Sequence, residues 1–180
     1  MNEWEKRYQE GETGWDRGDV SPSLYHWLDR GELKPCRIVV PGCGRGHEVL
    51  ELARRGFDVT GIDIAPSAIA HMERHLADEG LQTTLILGDL FAQQLEPFDA
   101  VYEQTCLCAL PPAMLDRYAD WLYAHLKPGG KLFALFMQTG AEGGPPYHCD
   151  LLAMHKLLDA SRWQWPTTTP LITPHRNGRF

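Results

Sequence analysis

Short apolar runs alternate with amphipathic stretches along most of the chain. Five runs have the length and the β-branched or aromatic content of buried strands: Ile38–Val40, Phe57–Ile62, Thr83–Leu87, Phe98–Glu103 and Lys131–Met137. Between them, apolar residues recur at spacings of three and four and predict helices over His47–Arg55, Ala65–Glu79 and Met114–Leu126. This alternation predicts an α/β fold, a doubly wound and mostly parallel sheet with helices on both faces. The carboxyl ends of its strands lie along one edge, where ligands bind.

The first 36 residues precede this alternation and are rich in aromatic side chains. Trp4 and Tyr8 are four positions apart and share one face of a helix, and Trp15 follows them. Ser21-Pro22 has the cap and the first-turn proline of a second helix. The pattern predicts an N-terminal aromatic helical cover over residues 1–36 and a ligand-binding domain over residues 37–180, together forming one compact domain.

The turn after the first strand is the most informative local motif. Gly42-Cys43-Gly44-Arg45-Gly46 allows positive φ angles and a close approach of the backbone to a ligand. Asp63 ends the second strand nineteen positions after Gly44, where a nucleotide-binding fold places an acid for the ribose hydroxyls. The third glycine of a dinucleotide site is replaced by His47. The spacing therefore favours a nucleoside with an amino-acid tail, such as S-adenosylmethionine, and the alternative is a βαβ turn without a ligand.

Two further strand ends meet the same edge of the predicted sheet. Asp89-Leu90 follows the third strand and Glu103 ends the fourth. Asp89 is suited to accept a hydrogen bond from an adenine amine, while Ile64 and Leu90 are suited to enclose the ring. The alternative for Asp89 is an ordinary turn or cap aspartate.

Composition narrows the function classes. The 180 residues carry a net charge of -7, which argues against a nucleic-acid partner bound through its phosphates. No apolar run reaches the roughly 20 residues needed to span a membrane. The five cysteines are an odd number without a secretory leader, which predicts reduced thiols and a cytoplasmic protein. The C-x-x-C pairs of structural zinc sites are absent from the sequence, so no metal site is predicted.

Several motifs together resemble one family. They are W-E-K and W-D-x-G near the start, V-P-G-C-G-R-G-H-E, G-I-D-I, G-D-L-F, F-D-A-V-Y-E, L-K-P-G-G and G-G-P-P-Y. The chain resembles class I S-adenosylmethionine-dependent methyltransferases, and within them the thiopurine methyltransferase family. It is similar in particular to the plant-type halide and thiol methyltransferases.

The resemblance implies a Rossmann-like sheet of seven strands, the last antiparallel. Here the last strands must be short, because Trp163–Phe180 contains Pro166, Pro170 and Pro174. Tyr147 matches a tyrosine that lines the acceptor site. The family's cofactor contacts carry over to Trp4, Tyr8, Trp15, Gly42, Cys43, Gly44, Asp63, Ile64, Asp89 and Leu90. Gln104 is a further candidate cofactor contact, at the position where relatives have an aromatic residue after the fourth strand.

The predicted reaction is methyl transfer from S-adenosylmethionine to a small soft nucleophile: a thiol, a thiopurine, hydrosulfide or a halide. Such an acceptor is already ionised and needs no general base. Tyr147 is predicted to orient the acceptor, and Glu103 is the candidate polar group near the methyl. The alternative for Glu103 is a strand-end carboxylate that binds the methionine amine or a backbone amide. Two other functions remain open, an O- or N-methyltransferase with a base near the acceptor and a non-catalytic S-adenosylmethionine-binding protein. The oligomeric state is also open.

Overall fold

The computed structural model describes residues 2–175 of the chain. Within this range the five strands are β1 Arg37–Pro41, β2 Asp58–Asp63, β3 Thr84–Leu87, β4 Phe98–Glu103 and β5 Leu126–Ala134. The six α-helices are α1 Glu3–Glu10, α2 Pro22–Asp29, α3 His47–Arg54, α4 Pro66–Asp78, α5 Leu115–Ala124 and α6 Leu151–Leu157. Short 3-10 turns follow β3 and β4 at Leu90–Ala92, Leu107–Ala109 and Pro112–Met114.

The strands form one parallel sheet in the order β3-β2-β1-β4-β5. Ile38 on β1 pairs with Val59 on one side and Ala100 on the other. The strand order reverses between β1 and β4, and ligands of open α/β sheets bind in the crevice at such a reversal. The loops that leave β1 and β4 therefore border the expected site.

Alternate residues of the strands supply two hydrophobic layers, one on each face of the sheet. Ile38 and Val40 belong to one layer, whereas Val39 lies in the other. Side chains of this size that are fully removed from water each stabilise the fold by about 1.5–3 kcal/mol. The period of two that predicted the strands thus also sets the two layers of the core.

The C-terminal part differs from the prediction of seven strands. Residues 135–175 contain helix α6 and loops but no strand, so the described sheet has five strands and no antiparallel member. Pro166, Pro170 and Pro174 near the end of this segment lack the N–H that a ladder requires. Residues 176–180 lie outside the described range, and with them the end of the predicted last strand. Helix α6 was not predicted, although Asp150 caps it by accepting from the Ala153 N–H at 2.8 Å.

Strand β5 is also displaced along the chain from its predicted position. It begins at Leu126 rather than Lys131 and ends at Ala134 rather than Met137. Leu126 pairs with Phe98, and the pairing resumes at Lys131 with a shift in register. The predicted break over Lys127–Gly130 is therefore an irregularity inside a strand.

The N-terminal segment contains the two predicted helices and contacts the sheet domain. Asn2 caps α1 by accepting from the Glu5 N–H at 2.7 Å. The Glu5 carboxylate accepts from the Ser67 hydroxyl at 2.7 Å and the Ser67 N–H at 2.9 Å, which joins α1 to α4. The division into a cover and a binding domain stays a prediction. None of the helices in residues 2–175 has the length and apolar character required to cross a bilayer.

Candidate functional site

The turn after β1 requires glycine for two physical reasons. Gly42 and Gly44 have φ angles of +57° and +56°, a region that other residues rarely adopt. A Cβ on Gly42 would lie 3.0 Å from the Cβ of Cys106, and a Cβ on Gly44 would lie 3.1 Å from the Tyr8 hydroxyl. The turn is therefore enclosed between the N-terminal segment and the loop after β4.

Asp63 lies beside this turn, as predicted. One oxygen of its carboxylate, Oδ2, accepts from the Gly44 N–H at 2.8 Å, and Oδ1 accepts from the Ala65 N–H at 2.8 Å. Burial raises the pKa of Asp63, and these backbone hydrogen bonds act in the opposite direction. Because each carboxylate oxygen can accept twice, the carboxylate retains capacity for a ribose hydroxyl. Asp63 thus fixes the turn and is suited to bind a diol. We call the turn Gly42–Gly46 together with Asp63 the cradle.

The ends of β2 and β3 lie next to each other. The Gly88 N–H donates to the Asp63 carbonyl at 2.9 Å. Ile64 is 39% exposed and offers an apolar surface beside the cradle, whereas Leu90 is mostly buried. Asp89 Oδ1 accepts from the Phe91 N–H at 2.9 Å, so Asp89 is a cap, as its alternative interpretation proposed. A ligand contact of Asp89 stays a prediction.

Three predicted aromatic contacts come together over the cradle. The ring centroids of Trp4 and Trp15 are 5.2 Å apart, those of Tyr8 and Trp15 are 5.5 Å apart, and both pairs are edge-on. The Trp15 indole N–H donates to the Tyr8 hydroxyl at 3.3 Å. Burial and the nearby Asp63 carboxylate raise the pKa of Tyr8. The aromatic trio therefore forms a wall beside Gly44.

Sequence reasoning missed a charged cluster next to this wall. The Asp16 side chain is only 8% exposed, and its Oδ2 accepts from the Arg45 guanidinium at 2.9 Å. Its Oδ1 lies 2.9 Å from His47 Nε2 and accepts from the Gly18 N–H at 2.8 Å. The bond to His47 is the main cause that lowers the pKa of Asp16 to about 2, and it also raises the pKa of His47. The W-D-x-G motif was the available signal.

A cavity of about 40 Å³ lies between the cradle, residues 15–19 and the loop after β4. Its lining includes Gln104, whose Oε1 accepts from the Tyr102 hydroxyl at 2.8 Å. The thiol of Cys43 is directed into the core, where its sulfur lies 3.1 Å from a Cβ built on Gly61. Cys43 therefore reaches the cavity through its backbone.

The two predicted catalytic residues lie in different places. The Glu103 carboxylate is fully buried, and it accepts from the Leu107 N–H at 2.9 Å and from the Tyr118 hydroxyl. This burial differs from the predicted position beside the methyl group and matches the alternative of a carboxylate that binds a backbone amide. Burial is also the main cause that raises the pKa of Glu103 to about 7. Tyr147 is half-buried, donates its N–H to the Cys108 carbonyl at 2.7 Å, and does not line the cavity.

Solved structures with the same fold place the chain in a broad class. A protein solved in work on the conversion of a disulfide bond into a thioacetal group during echinomycin biosynthesis matches with a TM-score of 0.72 at 20% identity, over 86% of this chain and 75% of that one. The glycopeptide N-methyltransferase MtfA, complexed with S-adenosyl-L-homocysteine, matches with a TM-score of 0.58 at 24% identity, over 71% and 56%. The fold is that of the S-adenosylmethionine-dependent methyltransferases.

Sequence comparison identifies the family. The family model described as thiopurine S-methyltransferase (TPMT) matches residues 1–168. Thiocyanate methyltransferase 1 of Arabidopsis thaliana is 34% identical, over 86% of this chain and 70% of that protein. Thiopurine S-methyltransferase of Xanthomonas campestris pv. campestris (strain 8004) is 32% identical, over 89% and 82%. The chain belongs to the thiopurine S-methyltransferase family and is an S-adenosylmethionine-dependent methyltransferase, as the sequence motifs predicted.

Proposed function

We propose that this methyltransferase methylates a small soft nucleophile, namely a thiol, a thiopurine, hydrosulfide or a halide-like anion. Relatives carry names of this kind, including thiocyanate methyltransferase 1 and probable thiol methyltransferase 2 of Arabidopsis thaliana. One structural observation carries the proposal: Glu103, the candidate polar group near the methyl, is buried and engaged with Leu107 and Tyr118. His47, the histidine that lines the cavity, is bound to Asp16. An acceptor that is already an anion needs neither group as a base.

The residues around the cradle fit S-adenosylmethionine. The Asp63 carboxylate has acceptor capacity left for the ribose, and the exposed side chain of Ile64 is suited to contact the adenine ring together with Leu90. The aromatic wall of Trp4 and Trp15 suits a cation, since a ring face contributes about 0.5–2 kcal/mol to such a contact. When bound, the cofactor supplies a methyl group that is already activated on a sulfonium.

The protein itself then has to orient the acceptor and to exclude water from the site. Gln104 lines the cavity and is held by Tyr102, so its amide is fixed at the end of β4. Glu103 holds the same loop from below through the Leu107 N–H. A rigid loop keeps the acceptor in line with the reacting methyl, which is the main source of rate in a displacement of this kind. Tyr147, whose N–H donates to the carbonyl of Cys108 in this loop, is proposed to orient the acceptor.

A turnover screen tests this proposal. The purified chain is incubated with S-adenosylmethionine and with thiocyanate, iodide, hydrosulfide, a thiopurine or phenol, and S-adenosylhomocysteine is quantified. We expect turnover with at least one soft nucleophile and none with phenol. Turnover confined to phenol would indicate an O-methyltransferase, and cofactor binding without turnover would indicate a binding protein.

The variant Glu103→Gln adds a mechanistic arm to the screen. If Glu103 only supports the loop, kcat changes by no more than a few fold, because the amide can still accept from the Leu107 N–H. A general base would contribute about 10²–10⁴-fold, so a loss of that size contradicts the proposed mechanism.

A further inference from the structure

The charged cluster around Asp16 joins two parts of the chain that are far apart in sequence. Asp16 belongs to the segment between α1 and α2, whereas Arg45 lies in the glycine turn and His47 begins α3. Both oxygens of the carboxylate are used, one for each partner, and the Gly18 N–H donates to Oδ1 as well. We call Asp16, Arg45 and His47 the clasp.

We propose that Asp16 is a positioning residue that fastens the Trp15 segment over the cofactor cradle by binding Arg45 and His47 together. The proposal rests on the proposed function, in that the cradle is taken to hold S-adenosylmethionine. Asp16 itself need not touch the cofactor. It acts through its neighbour Trp15, which contacts both Trp4 and Tyr8.

The geometry explains why the Asp16 carboxylate affects the position of the aromatic wall. Tyr8 lies against Gly44, and Trp15 donates to the Tyr8 hydroxyl, so the wall and the turn share a contact. Removal of the Asp16 charge leaves Arg45 and His47 without their common partner, and it also removes the main cause that raises the pKa of His47. The Trp15 segment then loses its attachment to the turn.

The clasp also accounts for the residue that departs from the dinucleotide pattern. His47 occupies the position where that pattern has its third glycine. In this chain the side chain at that position reaches Asp16 rather than leaving room for a diphosphate. The R-G-H motif thus supplies both cationic partners of one acid.

Protonation of His47 makes the clasp dependent on pH. The pKa of His47 is raised above that of a free histidine, first by the hydrogen bond to Asp16. The ionic contribution is therefore complete below about pH 6.5 and is lost as the pH rises through the raised pKa. The other charged groups that act on this region come from the N-terminal segment, the turn, α3 and α4: Asp19, Arg45, Glu48 and His71.

Calorimetric titration of the full chain with S-adenosylhomocysteine between pH 6 and 9 tests the proposal. The native chain is expected to bind more weakly as His47 loses its proton. Asp16→Asn is expected to bind about tenfold more weakly at pH 6 and to lose that pH dependence. His47→Gln is expected to give a flat pH profile with intermediate affinity. In turnover assays, Asp16→Asn raises KM for S-adenosylmethionine more than it lowers kcat.

Asp120→Asn is the matched control. Asp120 lies on α5, accepts from the Arg162 guanidinium at 2.8 Å and does not line the cavity. Its substitution should therefore leave the affinity for S-adenosylhomocysteine, and the pH dependence of that affinity, unchanged. A folded Asp16→Asn protein that binds with native affinity and a native pH profile overturns the proposal while the proposed function stands. Should Asp16→Asn fail to fold, a native affinity in Arg45→Met together with a native affinity and pH profile in His47→Gln overturns it equally. Failure of the native chain to bind would instead refute the cradle.

Discussion

The variant Glu103→Gln tests, by its effect on stability, whether Glu103 is a buried carboxylate that binds a proton on folding. In the native state burial raises the pKa of Glu103 to about 7, against the opposing effect of the Leu107 and Tyr118 hydrogen bonds. In the unfolded chain a glutamate titrates near about 4.3. Folding therefore takes up a proton between these two values. The contribution of Glu103 is complete below about pH 4.3 and is lost as the pH rises through about 7.

The size of the loss follows from the two pKa values. Each pKa unit corresponds to about 1.4 kcal/mol, so the full loss is about 3–4 kcal/mol. Between pH 5 and pH 8 the integrated loss is about 2–3 kcal/mol. Glutamine keeps the shape and cannot ionise, and its oxygen can accept from the Leu107 N–H. When the free energies of unfolding of the two proteins are subtracted, the contributions of the other titrating groups cancel, because both proteins contain them.

Urea denaturation of both proteins at pH 5, 6, 7 and 8 measures this difference. The free energy of unfolding of the native chain should fall relative to Glu103→Gln as the pH rises, with glutamine the more stable at pH 8. Glu10→Gln, at an exposed residue of α1, is the control for the glutamate-to-glutamine change itself. A constant difference for Glu103→Gln would refute the buried, proton-binding carboxylate.

Three further predictions concern the cradle and its neighbours. Asp63→Ala should weaken binding of S-adenosylhomocysteine by about 1–3 kcal/mol in calorimetry, and an unchanged affinity would count against the ribose contact. Gly46→Ala should destabilise more than Gly56→Ala by about 1–3 kcal/mol in urea melts. The φ angles of Gly46 and Gly56 are similar, +76° and +81°. A Cβ at Gly46 would lie 2.3 Å from the Met72 sulfur and overlap it, whereas a Cβ at Gly56 would have no neighbour within 4 Å. Tyr147→Phe should raise KM for the acceptor and leave the dissociation constant of S-adenosylhomocysteine unchanged, and an effect confined to cofactor binding would exclude the proposed role.

The elements of the fold could be predicted where their cause is local. β-branched runs and apolar spacing located β1 to β4 and helices α3 to α5 to within a few residues. The predicted position of strand β5 was displaced. Lys127–Gly130 has the local sequence of a chain break, but Leu126 pairs with Phe98 and so belongs to the strand. The seven-strand expectation came from family resemblance, and the prolines of residues 163–175 work against further strands.

Parts of the site could be predicted where a residue type by itself determines the local geometry. Three glycines in the turn and an acid at the end of β2 identified the cradle, and both lie as expected. The clasp was not predictable, because Asp16 is 29 positions from Arg45 and 31 from His47, and no local spacing encodes that encounter. Glu103 lies at the predicted strand end, but its full burial was not predictable, since alternation along a strand does not say which face is closed.

In the cradle, Asp63 joins local folding to the proposed binding role. Its two oxygens accept from the Gly44 and Ala65 amides, so Asp63→Ala removes the proposed ligand contact, one support of the turn and the bond to Ala65 at once. Gly44→Ala provides the comparison. It strains the turn through a φ of +56° and crowds the Tyr8 hydroxyl, yet it leaves the carboxylate in place. If turn distortion alone explained the weaker binding, both variants would lose the same affinity per unit of lost stability. A larger loss in Asp63→Ala, at matched stability, measures the hydrogen bonds that the carboxylate itself makes to the ribose.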